Sequence, residues 1–457
     1  MNEEKSKLKI YVLIFSVALA IRIIMILLAY NLGNSYLSSD SHDYIRLADG
    51  IISNHIYGIN QPEIFRVPGY PVIISFFILI FNKFFLISLL IFQAIVDSLT
   101  CILVYKLSNL IFWNNKASNK SSILASLFQV ISILAIVYTS KILSETIFTF
   151  LVILTLFLLQ RLVTKLKYEK QKIRYRSIII ISFLSSILCY IRFIFFPLSI
   201  FLIIIVYCFS RKIRILILGI IIIIGCIGIW CIRNYEVANY PGFSSVSNIL
   251  LYRYNACAVE SVKNNRSYDT QQKIFDANLK KYPSQAKQAE FSKNHGMKIL
   301  TENPVLYLNL HLRGDVKTLF PAIGELYKML GYKIGSSGTL AIINSKGLYA
   351  GVKHYFSGNL HLFFYAIPVI IFLFLKYLAF LLAFIYIFFT KNNTGNGKLM
   401  HLIYLIIILY FLLIPGPAAT PRFRVPVESL LNIYSAFGFI LLFNKIIYSK
   451  IKKKLVS

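Results

Sequence analysis

Asp40, His42 and Asp43 crowd into the segment SSDSHDYIRLADG, about ten residues beyond the first long apolar run. Asp40 and Tyr44 are four positions apart, as are Tyr44 and Ala48. A helix starting near Ser39 would therefore carry all three on one face. Ser39 or Asp40 would equally serve as a helix N-cap, and residue type alone favours that use. A second acid, Glu145, sits in VYTSKILSETIF beside Lys141. There a cap at Ser144 with an acid in the first turn is a complete account, because the helix dipole favours negative charge. Ionisable groups at the rim of a membrane are nevertheless costly, which gives them a functional reading.

The bases complete the pattern. Arg66 precedes Pro68-Gly69-Tyr70-Pro71, Arg192 follows Tyr190, and Arg233 follows Trp230. Arg422 and Arg424 lie in PGPAATPRFRVP. One such arginine would be explained by snorkelling to the interface. Five near two rim acids point to an anionic headgroup such as a lipid phosphate, which guanidinium binds in bidentate fashion. Asp97, inside FQAIVDSLT, is expected to face other helices and pair with a polar neighbour; a proton relay is the less common use. No P-loop, GxSxG, HExxH or dinucleotide glycine pattern argues for nucleotide or hydrolase chemistry.

The elements that position these residues are membrane helices. Of 457 residues, 57% are hydrophobic and only 14% charged, against about 25% charged in ordinary soluble proteins. This excludes disordered, coiled-coil and disulfide-scaffold classes, and the six cysteines follow no CxxC spacing. Ten apolar segments are expected to span: roughly 10–30, 85–107, 121–138, 143–161, 178–191, 193–209, 215–232, 361–390, 399–414 and 427–448. The first reads as a retained helix, not a signal peptide. Residues 70–81 are too few to cross and read as an interfacial helix.

Charge placement sets the sidedness. The net charge of +30, from 48 Lys+Arg against 18 Asp+Glu, would suggest nucleic acid in a soluble chain. Here the bases sit between apolar runs. With ten spans and both termini cytoplasmic, the inside segments together with the bases at the adjoining span ends hold 23 of them. The short outside segments hold only Arg46, Arg66, Lys83, Lys141, Arg192, Arg422 and Arg424. The expected organisation is a membrane module over 1–232 with a catalytic first outer loop at 31–84, an extracytoplasmic helical loop over 233–358, and membrane helices over 359–457.

In this order the motifs resemble the GT-C superfamily of membrane glycosyltransferases, nearest the bacterial relatives of protein O-mannosyltransferases and lipid A aminoarabinose transferases. The matching residues are Asp40, Tyr44, Ala48, Arg66 and Pro68-Gly69-Tyr70-Pro71, then SETIFTFLVILTLFLLQR, IWCIRNY and RFRVP. The resemblance implies an all-α polytopic fold and inverting transfer of a sugar from a polyprenyl-phosphate carrier on the outer face of the plasma membrane. It implies Asp40 as general base, with Asp43 the alternative if the frame is shifted, and Glu145 as a second acid that orients or activates the acceptor. Arg66 would bind the departing phosphate, aided by Tyr44, Arg192, Arg233, Arg422 and Arg424. Some members of such families use a divalent metal and others do not; Asp40, Asp43 and Glu145 would supply an oxygen-rich site.

The implied partners are the lipid-linked donor, membrane lipids and a glycan, lipid or protein acceptor, with no nucleic acid. Two other classes share these features. A lipid-linked oligosaccharide flippase also needs rim arginines, but transporters tend to carry repeats and helices broken near the midplane; here Asp97 and Arg22 are the main interruptions. A surface-polysaccharide polymerase would use a lipid diphosphate instead. The loop at 233–358 is expected to select the acceptor, being the largest segment outside the membrane.

Overall fold

The computed structural model describes every residue except 1, 33–34, 59–60, 114, 116–117, 169–174, 336–338, 390–396 and 457. The basic segment at 391–398 and the middle of that at 161–177 thus fall largely outside the described residues. The described residues form helices and no β-strand. Helix α1 (Asn2–Asn31) leads to α2 (Ser39–Asn54), α3 (Gly69–Phe81) and α4 (Phe85–Ile111). Next come α5 (Ser118–Val130), α6 (Ile133–Thr139), α7 (Glu145–Tyr168), α8 (Tyr175–Ile191), α9 (Phe196–Ser210) and α10 (Ile213–Ala238). Shorter helices follow: α11 (Val246–Leu250), α12 (Cys257–Lys263), α13 (Tyr268–Leu279), α14 (Gln285–Glu302), α15 (Pro304–Asp315), α16 (Ile323–Met329) and α17 (Thr339–Tyr355). Last are α18 (Leu360–Phe389), α19 (Gly397–Leu413) and α20 (Val425–Val456).

The architecture is an all-α polytopic membrane fold. Among the described residues, seven helical stretches are long and apolar enough to cross a membrane, or eight if α5 and α6, bent by 47°, count as one. The ten segments expected from sequence are all helical, but the fifth and ninth fall short. Helices α8 and α19 have 17 residues each, about 25 Å of helix against about 30 Å of hydrocarbon. The bend after α5 has a local cause: Ser132 leaves helical geometry, and its side chain caps α6 at the Ala135 N–H. Helix α3 is divided from α4 at Asn82, where φ is +44°, although the two together form one apolar stretch, Gly69–Ile111.

One apolar cluster runs through the bundle from α1 to α20. Helix α4 packs against α1, α5 and α7, while α20 packs against α5 and α18. The last crossing is close: a Cβ at Gly438 would lie 1.9 Å from the Ala379 carbonyl oxygen. Ile217, Ile221 and Ile224 of α10 and Phe374, Leu381 and Ile385 of α18 stay exposed, an apolar surface suited to lipid. Helices α11 to α14 build a second cluster around Tyr252, Phe275 and Ala289. Phe65, from the loop between α2 and α3, packs against it. That ring helps to tie the first loop to the later helices.

Candidate active site

The loop that carries Arg66 is fixed mainly from outside itself. The Ile64 and Phe65 N–H groups donate to Gln285 Oε1 at 2.9 and 3.2 Å, and the Ser245 N–H donates to the Ile64 carbonyl at 2.9 Å. The Ser244 hydroxyl donates to the Phe65 carbonyl at 2.7 Å. Glu63, buried, accepts from the N–H groups of Phe65 and Arg66 at 2.7 and 2.9 Å. The backbone at 63–66 is thereby satisfied without regular structure. Gly69 then brings α3 against the end of α8, since a Cβ there would lie 2.6 Å from the Tyr190 carbonyl oxygen.

Helix α2 positions the first acids. Its cap is Ser38, in a reciprocal box with Ser41, so Asp40 is not the cap; it stands in the first turn with its carboxylate free for other partners. All three residues of the Ser-Ser-Asp run are good cap formers, and only the turn geometry chooses between them. Ser41 also donates to the Ile142 carbonyl at 2.9 Å, which joins α2 to the segment before α7.

From these supports a chain of alternating charge is assembled. Arg66 reaches Asp40 at 2.5 Å and Asp43 at 3.2 Å. Arg422 donates to the other Asp40 oxygen at 2.5 Å and, through Nε, to Glu145. Arg192 donates to the same Glu145 oxygen at 2.5 Å and to the Ser144 hydroxyl at 3.0 Å. Asp43, Asp40 and Glu145 thus interleave with Arg66, Arg422 and Arg192, and Arg46 ends the chain 3.3 Å from the other Asp43 oxygen. Its members come from the start of α2, the loop before α3, the first turn of α7, the exit of α8 and the approach to α20. Glu145 and Arg422 stand at the starts of two apolar stretches long enough to cross a membrane.

The electrostatics follow from this geometry. Burial raises the Asp40 pKa, but the neighbouring Arg422 and Arg66 outweigh it and hold the carboxyl at about 2. Burial disfavours the Arg66 cation, yet Tyr44, Asp40 and Asp43 leave its pKa above the ordinary value. Glu145 is fully buried, and its Oε2 has no hydrogen-bond partner among the described residues. The Tyr44 ring lies 5.1 Å from the Arg66 guanidinium, with Phe65 at 5.4 Å on the same group. Tyr44 therefore supports the cation from below, and it packs edge-on to Tyr70 at 5.0 Å.

Two arginines singled out in the sequence lie outside this network. Arg233 donates to the Tyr57 and Glu63 carbonyls, each at 2.8 Å, and clamps the turn that precedes Arg66. Arg424, buried, pairs with Glu428 at 2.8 Å and donates to the Thr318 carbonyl at 2.8 Å and the Tyr377 hydroxyl at 2.6 Å. Both guanidiniums are spent on holding backbone and buried acid. Lys141 faces Glu325 at 2.5 Å and does not pair with Glu145. Asp97 pairs with Arg22 at 2.8 Å inside the bundle. Sequence reasoning missed Glu63, Gln285 and Glu325. The signal for Glu63 was present: an acid three residues before an isolated loop arginine.

Among the described residues, no group of three or more His, Cys, Asp or Glu is placed to hold an ion. The oxygens of Asp40 and Asp43 and one of Glu145 face guanidinium groups instead. The network can do two things: grip a phosphate by exchanging a carboxylate for it, and so release a carboxylate that can accept a proton.

The chain matches no protein-family model and no curated protein sequence. Among solved structures it is similar to the oligosaccharyltransferase of Archaeoglobus fulgidus. One crystal structure, a complex with zinc and sulfate, aligns over 98% of this chain and 51% of that one, with a TM-score of 0.45 and 14% identity. Another, tethered by a disulfide to an acceptor peptide containing the NVT sequon, aligns over 94% and 50%, again with a TM-score of 0.45 and 14% identity. The chain spans about half the length of these structures.

Proposed function

We propose that the chain is a GT-C glycosyltransferase that moves a sugar from a polyprenyl-phosphate carrier to an acceptor on the outer face of the plasma membrane, with inversion at the anomeric carbon. The observation that supports this reading most is Arg422 held between Asp40 and Glu145 at the rim of an apolar bundle. A lipid phosphate arrives at such a rim with its tail already in the membrane.

In the resting network both Asp40 oxygens face guanidinium groups, and a carboxylate so stabilised is a poor base. Donor binding changes that. The phosphodiester oxygens compete for Arg66 and Arg422, and Asp40 loses the charges that held its proton affinity down. Asp40 then takes the proton of the acceptor hydroxyl or amine. The acceptor atom bonds to the anomeric carbon as the carbon–oxygen bond to phosphate breaks. The lipid phosphate leaves carrying one more negative charge than the diester had, and Arg66 and Arg422 stand where that charge develops. Asp43 is the second candidate for the base. Glu145 keeps Arg422 and Arg192 in place and contributes an oxygen with no partner of its own.

The test is release of free lipid phosphate and a glycosylated acceptor when the purified protein is incubated with labelled polyprenyl-phosphate sugar. A product in which label crosses the bilayer with no lipid phosphate released would mark a flippase. Activity only with a lipid-diphosphate donor would mark a polymerase. Full transfer by Asp40→Asn would refute the role given to Asp40.

A further inference from the structure

Beside the charge network lies a cavity of about 440 Å³ that opens between α2, the loop after it and helices α11, α13 and α14. Its volume falls within the range of small-molecule sites. Arg66 and Asp43 belong to both places: they line the cavity and form one end of the network. Whatever fills the cavity therefore lies against the guanidinium that also holds Asp40.

The chemistry of the walls narrows the occupant. Asp43, Glu63 and Asp276 offer acceptor oxygens, while Arg253, Lys280 and Gln288 offer donors. Signs are mixed around the wall, and Arg253 is already paired with Asp276 at 2.7 Å. A strongly anionic or cationic ligand would meet repulsion as well as attraction. A lipid tail would take these charged groups out of water and offer them no hydrogen bond in return. A peptide that binds by adding a strand needs a free strand edge, and the described residues contain no strand. A hydroxyl-rich molecule fits instead. Each hydroxyl donates one hydrogen bond and accepts up to two, so adjacent hydroxyls match neighbouring carboxylate and guanidinium groups, and the Phe65 ring offers an apolar face.

We infer that this cavity binds the acceptor and that the acceptor is a neutral glycan, delivered with one hydroxyl toward Asp43 and Arg66. The inference rests on the glycosyl-transfer reading and names its substrate class. The walls contributed by Arg253, Asp276, Lys280 and Gln288 come from the region between α10 and α18. That region would then choose the acceptor, while the membrane helices handle the donor.

The experiment measures binding with no donor present, so that its outcome is independent of turnover. The full-length protein in lipid nanodiscs is titrated with cellotriose, chitotriose and mannotriose and, separately, with a short peptide containing serine and threonine, by saturation-transfer NMR. At least one trisaccharide is expected to bind. Its affinity should fall at least tenfold in Gln288→Trp, which fills the space, and severalfold in Lys280→Glu, a change at an exposed position that folding tolerates. The inference is overturned if no trisaccharide binds, if binding is unchanged in both variants, or if the peptide binds and the trisaccharides do not. Donor turnover with no glycan binding would sink the cavity and leave the transferase reading standing. Glycan binding with no donor turnover would do the reverse.

Discussion

Asp40 and Glu145 share one guanidinium, that of Arg422, although the two acids lie on different helices and the arginine enters from the far end of the chain. A lysine cannot bridge them, because a point charge on a flexible stem lacks the planar fork. Arg422→Lys is expected to lower transfer by about 100-fold or more, the usual loss when one aligned charge donor at a developing anion is removed. Retained monodispersity on size exclusion would separate this from misfolding. An activity within about threefold of wild type would mean that Arg422 only braces the fold.

The two aspartates of α2 are distinguished by kinetics. Asp40 lies at the centre of the network, whereas Asp43 has one oxygen on Arg66 and lines the adjoining cavity. Asp40→Asn should cut kcat by about 10²–10⁴, the range attributed to a positioned base. Asp43→Asn should mainly raise KM for the acceptor. The opposite pattern would assign the base to Asp43.

The pH dependence follows from the same contacts. The Asp40 pKa is depressed in the folded protein to about 2 from an ordinary 3.8. The stabilisation from its ion pairs is therefore present above the ordinary value and is lost as pH falls through the folded one, a window of roughly pH 4 to 2. Its size is about 2 kcal/mol. The difference in melting temperature between wild type and Asp40→Asn should shrink across that window. Because donor binding draws Arg66 and Arg422 away, the acid limb of kcat should lie at higher pH than that of kcat/KM, which reports the free enzyme. Coincident limbs would count against the exchange.

Much of this arrangement was legible in the residues. Asp40, Arg66, Glu145, Arg192 and Arg422 are ionisable groups next to helix ends in a strongly apolar chain, and their shared sidedness followed from where lysines and arginines sit. What was not legible is the direction in which each guanidinium turns. Arg233 and Arg424 have the same residue type and similar settings, yet they face the carbonyls of Tyr57 and Glu63 and of Thr318 and Phe320. The Lys141–Glu325 pair joins segments with no common pattern. The number of crossings was overestimated where short apolar helices such as α8, of 17 residues, were counted as spans, since hydropathy reports composition and not where a helix will stop.

Arg22 offers a test of fold without chemistry. It pairs with Asp97 at 2.8 Å, and it also donates to the carbonyls of Gln129, at 3.0 Å, and Val130, the last turn of α5 before the bend. Within hydrocarbon those freed carbonyls need a partner from another helix. Arg22→Leu leaves a buried carboxylate and strips the bend of its donor at once, so it should destabilise by about 3–5 kcal/mol or more. Asp97→Asn keeps a hydrogen-bond acceptor and leaves the arginine on the carbonyls, and should cost clearly less. Thermal unfolding in detergent compares the two. Equal losses would show that the ion pair alone, and not the bend, sets the requirement for arginine, and transfer per folded molecule should be unchanged in Asp97→Asn.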